Sequence, residues 1–194
     1  MKQVIAIIGL GILAAAFSMF ITNSEPEINT SMEEEKKFSV SSSAFLDRGF
    51  IPSQYTCDGT RTMNPPLMIS NPPEGTRSFV LIMDDPDIPQ EVKESRGIEV
   101  FDHWVMYGIP ADTTIINEGE SVGVSGLNGA GNEGYTGPCP PPEYEPTEHR
   151  YFFTLYALSG SLQFAQAPTK AEVEAAMHTM ILGEATLIGR YDRK

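Results

Sequence analysis

Acids and histidines stand at the abrupt ends of apolar runs in this chain, and chemistry would run through them. Asp84-Asp85-Pro86-Asp87 follows the run Ser78-Phe79-Val80-Leu81-Ile82-Met83, His103 opens His103-Trp104-Val105-Met106-Tyr107, and His149-Arg150 opens a run through Tyr151 to Leu158. Strand ends gather along sheet edges, so Asp85, Asp87, His103 and His149 are expected to share one cluster. Two histidines can present N–H groups to an anionic oxygen, and a carboxylate beside them would fix ring tautomer and orientation. The same four side chains form a metal-ligating or acid-base set. A metal-dependent or acid-base hydrolase is therefore the rival reading. No H-E-x-x-H or G-x-S-x-G pattern supports it, so the expectation is a binding protein, not an enzyme, with no metal and no cofactor.

A rigid loop should form the second part of the site. Gly134-Tyr135-Thr136-Gly137-Pro138-Cys139-Pro140-Pro141-Pro142 is locked by glycines and prolines, which suits the wall of a small preformed pocket. Its glycine turn would add backbone N–H groups as a nest for a phosphate-like oxygen. Arg150 should point away from His149 and pair structurally, and His178 reads as solvated on the polar side of the last helix.

The elements that must position these residues are mostly strands. Leu67 to Ser70 and Phe38 onward read as short strands, and Ser78 to Met83 as a central strand covered on both faces. Gln90 to Val100 reads as a charged loop. Alternation from His103 to Ile109 places His103, Val105 and Tyr107 on one face and Trp104 and Met106 on the other. In the next long strand, His149, Tyr151, Phe153, Leu155 and Ala157 share a face. Asn117 to Gly137 carries seven glycines and reads as a functional or mobile loop. One helix is expected, capped by Thr169 with Glu172 completing a capping box. Its apolar face would be Val173, Ala176, Met177, Met180 and Ile181, with Gly183 as its stop before a strand from Glu184 to Arg190.

The 194 residues include 13 basic and 26 acidic side chains, a formal net charge of -13. No basic stripe is present, which excludes nucleic acid as partner. Val4 to Ile21 is apolar apart from Ser18, so residues 1–21 read as a cleaved signal peptide or as a membrane anchor. Residues 22–37 form a polar linker, and residues 38–194 form one domain, exported to the periplasm, the exterior or the outer face of a membrane.

Taken together, Asp-Pro-Asp-x-Pro, His-Trp-Val, Gly-Tyr-x-Gly-Pro-x-Pro-Pro and His-Arg-Tyr occur here in an order that resembles the phosphatidylethanolamine-binding protein family. Tyr55-Thr56-Cys57-Asp58-Gly59 and Asn64-Pro65-Pro66-Leu67 look like its bacterial and archaeal branch, the Raf-kinase-inhibitor-like proteins. The resemblance covers residues 38 to 191. It implies an antiparallel β-sandwich with a peripheral C-terminal helix and a cavity for small anions or phospholipid head groups. By the same resemblance the cavity would take Asp85, Asp87, Phe101, His103, Gly137, Pro140, His149 and Tyr151. An inhibitor or scaffold role toward a protease or signalling partner is also implied. Export would permit a disulfide between Cys57 and Cys139, both placed toward the site, and the bonded and free states stay open. Two departures stand out, Asn64 in place of a common serine and the insert Glu143-Tyr144-Glu145-Pro146-Thr147-Glu148, whose acids would oppose anion capture.

Overall fold

Residues 36–193 are described by the computed structural model; the expected signal or anchor segment and nearly all of the linker lie outside them. In chain order the elements are β1 (Ser39–Ser41), β2 (Gly49–Phe50), β3 (Leu67–Ser70), β4 (Ser78–Asp85), α1 (Gln90–Arg96) and β5 (Phe101–Pro110). They continue with β6 (Ile115–Ile116), β7 (Val124–Ser125), β8 (Glu148–Leu158), α2 (Lys170–Met177) and β9 (Ile181–Asp192). A small sheet of order β1-β3-β6 faces a large one of order β2-β9-β8-β4-β5-β7. All pairings are antiparallel except β2 with β9. This is the expected mostly-β sandwich.

The unbroken apolar run of β4 follows from its place in the middle of the large sheet. Phe79, Leu81 and Met83 point into the core shared with Leu67, Ile69 and Ile116 of the small sheet. Val80 and Ile82 point the other way, under Leu162 and the helix residues Val173 and Met177. A strand buried on both faces needs apolar residues at every position. Each such side chain contributes about 1.5–3 kcal/mol by leaving water, so this strand anchors both layers.

Three expectations change. Gln90–Arg96 is a helix, not a loop, so the domain has a second helix. Helix α2 has the expected capping box, in which Thr169 accepts from the Glu172 N–H and Glu172 takes the Thr169 N–H. It ends at Met177, however, before the expected Gly183. Only Val173 and Met177 of its expected face are buried within it; Ala176 is exposed, and Ile181 and Gly183 already belong to β9. Finally, the glycine-rich segment is not wholly irregular, because Val124 and Ser125 pair with Tyr107 and Met106.

Candidate functional site

A bulge in β5 assembles the site. Met83 pairs with Trp104 and Asp84 with Asp102, leaving His103 without a partner on β4. The extra residue resets the alternation. His103 therefore turns to the same side as Trp104, against the expectation, and packs edge-on to Phe101 at 4.8 Å and to Tyr151 at 5.1 Å between ring centroids. Without the bulge it would point under α2, where Asp84 and Asp102 meet Lys170 at 2.9 and 3.3 Å. The reset is what brings His103 to the face of β8 that carries His149 and Tyr151.

Asp85 organises the two rings. Its Oδ2 lies 2.6 Å from His149 Nδ1 and 3.8 Å from His103 Nε2, and its Oδ1 accepts the Asp87 N–H at 2.9 Å. His103 Nδ1 donates to the Thr136 carbonyl at 2.7 Å, since a carbonyl can only accept. That bond fixes the ring with Nε2 toward Asp85. Burial alone would raise the Asp85 carboxyl, yet the two histidines that face it, His103 and His149, outweigh burial and hold Asp85 below its ordinary value. A carboxylate that stays ionised here is a fixed acceptor for His149 Nδ1–H.

Two polar atoms at this centre are unspent. His149 Nε2 and the Tyr151 hydroxyl are buried with no hydrogen-bond partner among the described residues. Burial first, and then the Asp85 carboxylate, push the Tyr151 phenol up, so it stays a neutral hydroxyl. Beside these rings is a cavity of about 210 Å³ lined by Asp85, His103 and His149, with Gly137 and Phe101 on its walls.

Asp87, Pro140 and Tyr151 do not line that cavity. Asp87 instead clamps the ends of β4 and β8, accepting from Arg150 Nε and Nη2 at 2.7 Å each and from its backbone N–H at 2.9 Å. That pairing holds Asp87 below its ordinary value and gives Arg150 the structural role expected of it. Pro140 is buried, and the adjacent Pro141 takes the wall position. Tyr151 lies behind the histidine rings as their packing surface. Of the N–H groups expected in the nest, those of Gly134 and Thr136 are used by the carbonyls of Gly126 and His103.

Cys57 and Cys139 are bonded, with Cα atoms 5.4 Å apart. The bond ties the proline loop to the turn at Ser53–Tyr55, and Cys139 and Pro141 become cavity wall. Gly137 is required at this junction, since a Cβ there would lie 2.9 Å from Thr56 Cα and Tyr55 O. Backbone cannot yield as a side-chain tip can, so Gly137→Ala is expected to cost about 1–3 kcal/mol, read from the urea midpoint. An unchanged midpoint would mean the loop rests less tightly on that turn.

Sequence reasoning missed Arg96, Val92 and Asn128. Arg96 lines the cavity rim from α1, its guanidinium carbon 5.9 Å from the Phe101 ring centre, and it has no acidic partner among the described residues. Helix signals were present: Pro89 before the first turn, Glu91 inside it, Lys93 and Arg96 in the last turn and left-handed Gly97 as stop. Asn128 is 5% exposed and holds the glycine loop from within, donating to Gly134 O and Thr136 Oγ1 while accepting from Ala130 and Asn132. The acidic insert does not line the cavity; Glu148 pairs with Arg190 at 3.1 Å, and Glu143 and Glu145 are exposed. Among the described residues no group of three or more His, Cys, Asp or Glu is arranged to hold a metal.

Comparison with known proteins agrees with this architecture. The family model described as phosphatidylethanolamine-binding protein matches residues 41–192. A UPF0098 protein of Methanothermobacter thermautotrophicus is 43% identical over 157 residues, which are 77% of this chain and 95% of that protein. One from Aquifex aeolicus is 42% identical over 161 residues, 79% of this chain and 88% of its own length. Among solved structures, a phosphatidylethanolamine-binding protein homolog from Chlamydia trachomatis superposes with TM-score 0.74 at 35% identity, covering 81% of this chain and 98% of that one. Escherichia coli YbcL, described as a member of the mammalian family, gives 0.70 at 25% identity over 82% of this chain and 100% of its own. The matched span takes in nearly all of both sheets and every residue of the histidine cavity, and the chain belongs to the phosphatidylethanolamine-binding protein family.

Proposed function

We propose that the domain is a binding protein whose histidine cavity takes a small anion of the phosphate type, free or as a phospholipid head group. The observation that carries this reading is His149 Nε2, buried beside the cavity with no partner. Asp85 takes the proton of Nδ1 on the far side of the ring. With both ring nitrogens protonated, the ring would donate Nδ1–H to Asp85 and Nε2–H to an anionic oxygen, a carboxylate–imidazolium–anion chain of charge-assisted hydrogen bonds. Arg96 at the rim adds a positive charge that forms no salt bridge with an acid among the described residues, and Glu148 is paired with Arg190. The apolar walls, Val92, Phe101 and Pro141 among them, suit a ligand that carries carbon next to its charge.

The Cys57–Cys139 bond supports folding in an oxidising compartment, in keeping with export. An inhibitor or scaffold role would use the rim of the occupied cavity as its contact surface. Calorimetric titration with inorganic phosphate, phosphoethanolamine and acetate tests the ligand. At least one should bind saturably, and His149→Ala should weaken it by about tenfold or more, the value of one charged hydrogen bond. No binding of any of the three would retire the proposal.

A further inference from the structure

A second cavity, of about 180 Å³, is lined in part by residues next in sequence to those of the first. Gly134 and Tyr135 line the second, while the next two residues, Thr136 and Gly137, line the first. The β5 bulge divides its side chains the same way, with His103 in one cavity and Trp104 in the other.

Two nearly buried side chains leave hydrogen-bonding capacity unspent here. Trp104 is 2% exposed, and its indole N–H donates to nothing among the described residues. Asn64 is 5% exposed and spends its amide hydrogens on the Pro65 and Asn117 carbonyls. Its Oδ1 accepts no bond among the described residues. Ser125 adds a hydroxyl, and Tyr135 sets its ring edge-on to Trp104 at 5.5 Å. One donor, one acceptor, the hydroxyls of Thr62, Ser121 and Ser125 and aromatic walls call for a ligand whose groups both donate and accept. Hydroxyls do this, and an anion is disfavoured by Glu120 at the mouth. A cation would meet the indole N–H, a donor that repels it.

We propose that this second cavity binds a small neutral polyhydroxylated ligand, a sugar or polyol of monosaccharide size, through Trp104 Nε1, Asn64 Oδ1 and Ser125 Oγ. The site is independent of the histidine cavity, and so is its readout. Trp104 is the chain's single tryptophan and reports on this cavity, while the histidines report on the other.

The test is titration of the full chain with glucose, galactose and glycerol, read by tryptophan emission and by the indole N–H cross peak in NMR. At least one ligand should shift both signals saturably, and inorganic phosphate should not. Ser125→Phe fills the space without removing a hydrogen bond between described residues. It should weaken the response by about tenfold or more in protein shown to be folded by circular dichroism. The proposal is overturned if none of the three ligands moves either signal, which would mean a cavity filled by solvent only. It is equally overturned if folded Ser125→Phe responds as wild type does, or if phosphate produces the same indole shift.

Discussion

Asp85→Ala is expected to lower the unfolding free energy by about 3–5 kcal/mol, the cost of stripping one partner from a buried charged network. Asp85 is 2% exposed and serves His149 Nδ1, the Asp87 N–H and, at longer range, His103. Its removal leaves one buried donor, His149 Nδ1–H, and one part-buried donor, the Asp87 N–H, unsatisfied, and two rings without their common orienting group. Asp85→Asn keeps the shape and isolates the charge. The folded-state carboxyl is held below its ordinary value, so its contribution is fully present above the unfolded value of about 3.9. It fades as pH falls through the lower folded value. Wild type and Asp85→Asn should thus differ most near neutrality and converge in acid, as urea unfolding at a series of pH values would record. A constant difference down to the lowest pH would mean the charge is not what Asp85 contributes.

The second large effect concerns the Cys57–Cys139 bond, which closes a loop of 82 residues in sequence separation. On the chain-entropy account, losing it frees the unfolded state by about 4.5 kcal/mol, a large share of the 5–15 kcal/mol or so that holds a typical domain folded. The Cys57→Ala/Cys139→Ala variant should show that loss at its urea midpoint. It should also lose anion affinity, because the bonded loop carries the Gly137, Cys139 and Pro141 wall of the cavity. If stability falls and affinity does not, the cavity wall is held by the Cys57 N–H to Pro138 O bond and the Tyr135 hydroxyl to Tyr55 O bond instead.

What the sequence made legible follows from how local each signal is. Strand β3 is read at its own boundaries, because prolines flank its apolar alternation. The Thr169–Glu172 box needs only four consecutive residues, and it is present. The face of β8 is readable from His149 to Ala157 because its ladder with β9 runs unbroken over those residues. His103 went to the wrong face because alternation assumes an unbroken ladder, and the bulge depends on pairing with a strand outside the window. Helix α1 was hidden for the opposite reason: it buries no residue, so there is no apolar period to find. Arg96 was lost with it. The parallel pairing of β2 with β9 joins Gly49 to Gly189, a contact too distant in sequence for any local pattern to carry. Within the proline loop, composition marked a wall, but only the fold chooses Pro141 over Pro140 as the residue that faces the cavity.

The central claim is that His149 Nε2 is the anchor for an anion. Long-range proton–nitrogen NMR of the histidine side chains under titration with inorganic phosphate and phosphoethanolamine addresses that atom directly. A saturable shift of the His149 Nε2 resonance, with Nδ1 still held by Asp85, is the predicted result. A His149 Nε2 signal that stays in place at saturating concentrations of both would contradict it.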